Sequence, residues 1–169
     1  MADGPPVDGA VLDHVAVAGP SIADLLPLYR DALGGRFVYG GIDEEPGFRT
    51  ATFEYEGGGK IELLDPTPGS MFLDRFLRRT GGLGGLHHIT FRVEDLAASH
   101  AVLERRGVPV FGLRVGDPVW NELFIHPRDA SGVLVQLAQV GPDWQRVLAE
   151  ETQAVLEAIP ELARGQSVL

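Results

Sequence analysis

Two stretches of this chain match each other at a spacing of 74 residues (14 to 88), and that repeat limits what the chain can fold into. Gly85–Val93, GLHHITFRV, reads as a strand. Side chains alternate along a strand, so His87, Ile89, Phe91 and Val93 share one face and His88, Thr90 and Arg92 share the other. The first face suits a core and the second suits chemistry. Val11–Ala18, VLDHVAVA, repeats the plan, with His14 opposite Val15 and Val17. The same shift carries Ser21 onto Asp95, both where a helix N-cap belongs, and Glu62 of KIELLD onto Gln136 of LVQLAQ. In each half, 48 positions separate the histidine from the later oxygen-bearing side chain (14 to 62, 88 to 136).

Pattern and punctuation then divide each half into β-α-β-β-β. In the first, strand Val11–Ala18 is broken by Gly19 and Pro20, and Ser21 caps a helix to about Leu33 that Pro27 should bend. Strand Arg36–Tyr39 follows, then a Gly- and acid-rich loop, then a hairpin of Phe48–Tyr55 and Lys60–Leu64. A short helix over Ser70–Arg79 leads into the GGLGG linker. In the second half, strand Gly85–Val93 precedes a helix near Asp95–Arg106 and strands Val108–Leu113, Val119–Ile125 and Val133–Val140. Pro142–Ile159 is amphipathic and should form a last helix, stopped by Pro160. The expected organisation is a flexible arm over 1–10, a first module with its linker helix over 11–80, a second module over 81–141, and a C-terminal helix and tail over 142–169. The fold class is α+β: two tandem β-α-β-β-β modules forming one cup-shaped mixed sheet around a metal site, plus the C-terminal helix.

A chain of 169 residues, 44% hydrophobic and 22% charged, can bury a good core. Its net charge of −10 argues against generic nucleic-acid binding, which needs a basic face. Without cysteine there is no disulfide, thiolate metal site or cysteine nucleophile. The first ten residues lack the basic-then-apolar pattern of a signal peptide, and no apolar run approaches the ~20 residues of a membrane span. The cytoplasm and no membrane partner are therefore expected.

A lone histidine on a strand is usually structural. Two at matched positions, each followed at the same distance by Glu or Gln, instead predict a shared metal site of His14, Glu62, His88 and Gln136. Glu62 lies opposite Ile61 and Leu63, and Gln136 opposite Val135 and Leu137, so both point away from aliphatic neighbours. Nitrogen and oxygen donors without sulfur suit Co²⁺, Mn²⁺, Ni²⁺, Zn²⁺ or Fe²⁺.

LDHVAVA, IELLDP, GLHHITFRV and FIHPRDASGVLVQLAQ resemble the vicinal oxygen chelate (glyoxalase/dioxygenase) superfamily, and within it the methylmalonyl-CoA epimerase branch. The resemblance spans about Val11–Val140. It implies that His14, Glu62, His88 and Gln136 are the metal ligands. Position 62 is Gln or Glu in the family, but position 136 is usually Glu in epimerases, so Gln136 is a departure. Glu45 falls about where the family has another carboxylate implicated in proton transfer. An amide cannot accept a proton at neutral pH, which leaves Glu45 and Glu62 as the catalytic carboxylates. The implied function is a metal-dependent epimerase or isomerase that abstracts a proton alpha to a carbonyl, with a methylmalonyl-CoA-like acyl thioester as substrate. A homodimer is expected, since an appended helix such as Pro142–Ile159 packs on its own domain or on a dimer partner. The alternatives on the same fold are an Fe(II)-dependent ring-cleaving dioxygenase, a glyoxalase-type lyase and a non-catalytic small-molecule binding protein.

Other residues carry weaker signals. His87, on the apolar face, reads as structural. Arg92 shares the face of His88 and suits a carboxylate, a phosphate or solvent. Arg75, Arg78 and Arg79 form a basic cluster that suits either the phosphates of CoA or a solvated helix face. Asn121, after Trp120, faces the cup only if the strand register allows it.

Overall fold

The computed structural model of the protein describes residues 6–164. Part of the expected arm (1–5) and the end of the expected tail (165–169) lie outside the described residues. Both halves run β-α-β-β-β, as expected. The first contains β1 (Val11–Ala18), α1 (Ile22–Leu26), β2 (Arg36–Asp43), β3 (Phe48–Glu54) and β4 (Lys60–Pro66), followed by α2 (Asp74–Arg79). The second contains β5 (Gly85–Arg92), α3 (Leu96–Arg105), β6 (Phe111–Arg114), β7 (Trp120–Ile125) and β8 (Leu134–Val140). The C-terminal helix is α4 (Trp144–Ala158). No helix among the described residues is long and apolar enough to cross a membrane.

Contacts gather into two compact units, and β1 runs from one into the other. The first unit holds residues 6–15 and His87–Gln145. Its strands lie in the order β1-β5-β8-β7-β6. The β5–β8 pairing is parallel and β7–β8 is antiparallel, so this sheet is mixed. Val93, Leu96, Leu103, Leu123 and Leu137 form its core, with Val7, Val108 and Val110 packed against them. Val108 and Val110 were expected in a strand. They instead close over this core ahead of β6, which begins at Phe111 and breaks register before Arg114. Asp95 caps α3 as expected, its carboxylate accepting from the Ala98 N–H at 2.9 Å.

The second unit holds Ala16–Leu86 and residues 146–164, with strands in the order β2-β3-β4-β1. Its core joins Ile22, Leu26, Phe37, Phe53 and Leu63 to Val155, Ile159 and Leu162, so the C-terminal segment covers the sheet of its own unit. Gly40 permits this. β2 continues through Gly40 and Gly41 to Asp43, beyond the expected end at Tyr39, and a Cβ at Gly40 would lie 2.7 Å from Val155 Cγ1 and 2.4 Å from the Thr50 carbonyl oxygen.

Helix α1 departs from expectation at both ends. The Ser21 side chain makes no capping bond. The Ile22 N–H instead donates to Asp65 Oδ2 at 2.8 Å, and the same buried carboxylate accepts from Arg49 Nε at 2.8 Å and Nη2 at 2.6 Å. From Pro27 the chain widens into a π-type turn, with the Leu33 N–H reaching the Leu28 carbonyl five residues back. A proline lacks the N–H that would continue an α-helix and crowds the preceding turn.

Candidate metal and catalytic site

In the first unit, the strand order sets β1, β5, β8 and β7 side by side, and alternation brings His14, His88, Thr90, Gln136 and Glu122 toward one another. Thr90 pairs directly with Gln136 across the parallel β5–β8 ladder, and Phe124 pairs with Gln136 across β7–β8. The rings of His14 and His88 meet edge to face at 5.6 Å. His14 is 5% exposed, His88 and Gln136 are each 7% exposed, and Thr90 is fully buried. The polar face of β5 is thus the more deeply buried one, since Ile89 and Phe91 on the other face are only half-buried. Buried polar side chains of this kind need partners.

The partners form a chain. Asp13 Oδ2 lies 2.9 Å from His14 Nδ1. His14 Nε2 lies 3.0 Å from Thr90 Oγ1, which donates to Gln136 Oε1 at 2.6 Å. Gln136 Nε2 donates to Glu122 Oε2 at 2.7 Å. The Trp120 indole N–H reaches the same oxygen at 3.0 Å, and Arg114 pairs with Glu122 Oε1 at 3.1 Å. His14 Nε2 and Gln136 Oε1 thus both lie against the Thr90 hydroxyl, and each offers a lone pair that a cation can take. The donors fit a divalent ion in kind as well: imidazole nitrogen and amide oxygen, with no sulfur.

His87 was expected to be structural on the opposite face. Its Nδ1 lies 2.9 Å from His88 Nδ1. Arg92 is exposed, with Nη1 3.6 Å from Asp13 Oδ1. The side chain of Asn121, in β7, braces the turn ahead of the strand: its Oδ1 accepts from the Asp117 N–H and its Nδ2 donates to the Asp117 carbonyl, both at 2.9 Å. That turn also holds the Asp117 carboxyl below the usual carboxylate range, chiefly through the Trp120 and Val119 backbone N–H groups.

Glu62 and Glu45 belong to the second unit. Glu62 is half-buried in the middle of β4, directly across from Thr52 of β3. Thr52 is fully buried, and its hydroxyl has no hydrogen-bond partner among the described residues. Glu45 is exposed in the β2–β3 turn, where its N–H donates to Asp43 Oδ1 at 3.1 Å. Arg75, Arg78 and Arg79 are exposed on α2, with Arg78 paired to Asp74 at 3.2 Å.

Sequence reasoning assigned no role to Asp13, Thr90 or Glu122. Two of these had a signal. Asp13 directly precedes a candidate ligand, and Thr90 stands two residues beyond His88 on the same strand face. Glu122 had none, because its contact with Gln136 depends on the β7–β8 register.

The family described as the glyoxalase/bleomycin resistance protein/dioxygenase superfamily matches residues 13–124. An ethylmalonyl-CoA/methylmalonyl-CoA epimerase of Cereibacter sphaeroides is 36% identical over 76% of this chain and 97% of its own length. Among solved structures, the methylmalonyl-CoA epimerase of Mycobacterium tuberculosis superposes with a TM-score of 0.70 at 30% identity, covering 85% of this chain and 95% of that one. A methylmalonyl-CoA epimerase solved in complex with methylmalonyl-CoA and NH4+ has a TM-score of 0.64 at 29% identity, over 78% of this chain and 94% of that one.

Proposed function

This chain belongs to the glyoxalase/bleomycin resistance protein/dioxygenase superfamily, and on that premise we propose that it is a metal-dependent epimerase acting on a methylmalonyl-CoA-like thioester. The observation that carries the reading is the buried network around Thr90, where His14 Nε2 and Gln136 Oε1, a nitrogen and an oxygen donor for a metal, lie 3.0 and 2.6 Å from one hydroxyl. The epimerase names of the relatives support the reaction class. In this reading His14, Glu62, His88 and Gln136 hold one divalent ion, Co²⁺, Mn²⁺, Ni²⁺, Zn²⁺ or Fe²⁺. The matched 48-residue spacing supports Glu62 as the carboxylate of the set.

When bound, such an ion supplies Lewis-acid polarisation of the thioester carbonyl, which acidifies the neighbouring C–H. The residues of the chain do the rest. Asp13 holds the proton of His14 on Nδ1 and leaves Nε2 as a donor lone pair. His87 does the same for His88 when the shared proton sits on His88 Nδ1. A carboxylate must take the α-proton and return one to either face. Gln136 cannot. Glu45, which falls where the resemblance puts a carboxylate implicated in proton transfer, takes that role in this reading, with Glu62 as its partner or as a ligand only. Arg75, Arg78 and Arg79 offer charge for the phosphates of a CoA ester. The same reading takes the chain as a homodimer, with the exposed Val11 and Leu12 of β1 as apolar surface available to it. The test is a single epimer of methylmalonyl-CoA incubated with metal-loaded protein. The opposite epimer should accumulate, and chelation or His88→Ala should abolish this; an unchanged epimer would overturn the proposal.

A further inference from the structure

The Gln136 amide has two unlike ends, and only its oxygen can serve a cation. A carboxylate at this position, as the epimerase resemblance leads one to expect, would have no such polarity to settle. Something in this chain must therefore choose the end. Glu122 is placed to do so. It stands one strand over and two residues diagonal to Gln136 on the same face, since Phe124 pairs with Gln136 and Glu122 with Ala138. Its carboxylate accepts and does not donate, so the 2.7 Å contact fixes the amide nitrogen on the Glu122 side. The oxygen is then committed to the Thr90 hydroxyl, which itself lies 3.0 Å from His14 Nε2. Glu122 is itself anchored by the Trp120 indole and the Arg114 guanidinium, and the Trp120 ring packs on Trp144 at 5.0 Å.

We propose that Glu122 is the positioning residue for Gln136, holding the amide nitrogen so that Oε1 is the end offered to the metal. The proposal rests on reading His14 and Gln136 as ligands. It makes positions 122 and 136 a matched pair in which an acid on β7 makes an amide on β8 serviceable. A glutamate at 136 beside Glu122 would set two carboxylates against each other. In Glu122→Gln the charge that holds the Gln136 amide nitrogen is lost and the neighbour gains a donor end beside its acceptor end, so the Gln136 amide is held less firmly in one orientation while the shape of the site is kept.

Two measurements test this. The first is side-chain amide NMR of metal-free protein. The Gln136 Nε2 protons should give shifted, exchange-protected signals in the wild type and lose both features in Glu122→Gln. The second is Co²⁺ titration by calorimetry. Glu122→Gln should weaken binding by about 10–100-fold, the usual effect of losing a partner behind a ligand. In a Gln136→Leu background, Glu122→Gln should cause no further loss, because it acts through the amide. The double exchange Glu122→Gln/Gln136→Glu should recover the Co²⁺ affinity lost on Glu122→Gln. Unchanged amide signals and Co²⁺ affinity in Glu122→Gln, or equal losses with and without Gln136, would overturn the proposal. If wild-type protein takes up no Co²⁺, the metal reading falls, and the amide NMR alone then decides whether Glu122 orients Gln136.

Discussion

Asp13 Oδ2 lies 2.9 Å from His14 Nδ1, and Asp13 is itself only 10% exposed in its side chain, with Arg92 3.6 Å from its other oxygen. A carboxylate behind an imidazole fixes the tautomer and strengthens the ring as a donor. Asp13→Asn should therefore reduce Co²⁺ affinity about 10–100-fold while leaving the fold intact. Calorimetric titration beside a thermal melt checks both parts. Equal affinity in the two proteins would remove Asp13 from the site.

Much of this was legible because strands alternate. His14, His88 and Gln136 were placed on common strand faces by counting, and the structure gathers all three in one unit. The repeat located them because the two halves share their spacing. What escaped was set by register and by distant contacts. The partnership of Glu122 with Gln136 needs the β7–β8 ladder. The cap of α1 comes from Asp65, 43 residues away, and not from the adjacent Ser21. The two glycines at 40 and 41 looked like the start of a loop. They keep β2 extended because α4 packs on them, a contact more than a hundred residues distant in the chain.

The proton-transfer assignment separates two carboxylates. Glu45→Gln should slow α-proton exchange at least ~10²-fold, the lower end for a general base, with metal uptake unchanged. Glu62→Ala should weaken metal uptake as well. Exchange rates together with elemental analysis of both variants make the distinction. Full exchange in Glu45→Gln would return the base to Glu62.

Asp65 is fully buried and serves both the α1 N-terminus and Arg49. Removing one member of such a pair leaves the other charge without compensation. Asp65→Ala should cost about 3–5 kcal/mol in denaturant unfolding, far more than Ser21→Ala. Comparable losses for the two would show that Asp65 is not the cap.

Glu151 of α4 gives a pH-dependent test. Burial, and then the nearby Asp43 carboxylate, raise its pKa above the usual value. A raised acid favours the folded state only while protonated, so its contribution is present below the ordinary carboxylate pKa and is lost as pH rises through the folded value. Glu151→Gln should therefore raise the melting temperature slightly at pH 7, with the gain shrinking toward pH 4. A gain that grows on acidification would contradict the sign.

The most direct measurement is α-proton exchange in D₂O. Metal-loaded protein is mixed with methylmalonyl-CoA, and the α-proton signal is followed by NMR. Deuterium should enter the α-carbon as the second epimer forms, and both should stop on chelation. No deuterium entry from the metal-loaded protein would contradict the epimerase assignment, and consumption of O₂ with a catechol-like substrate would put a dioxygenase in its place.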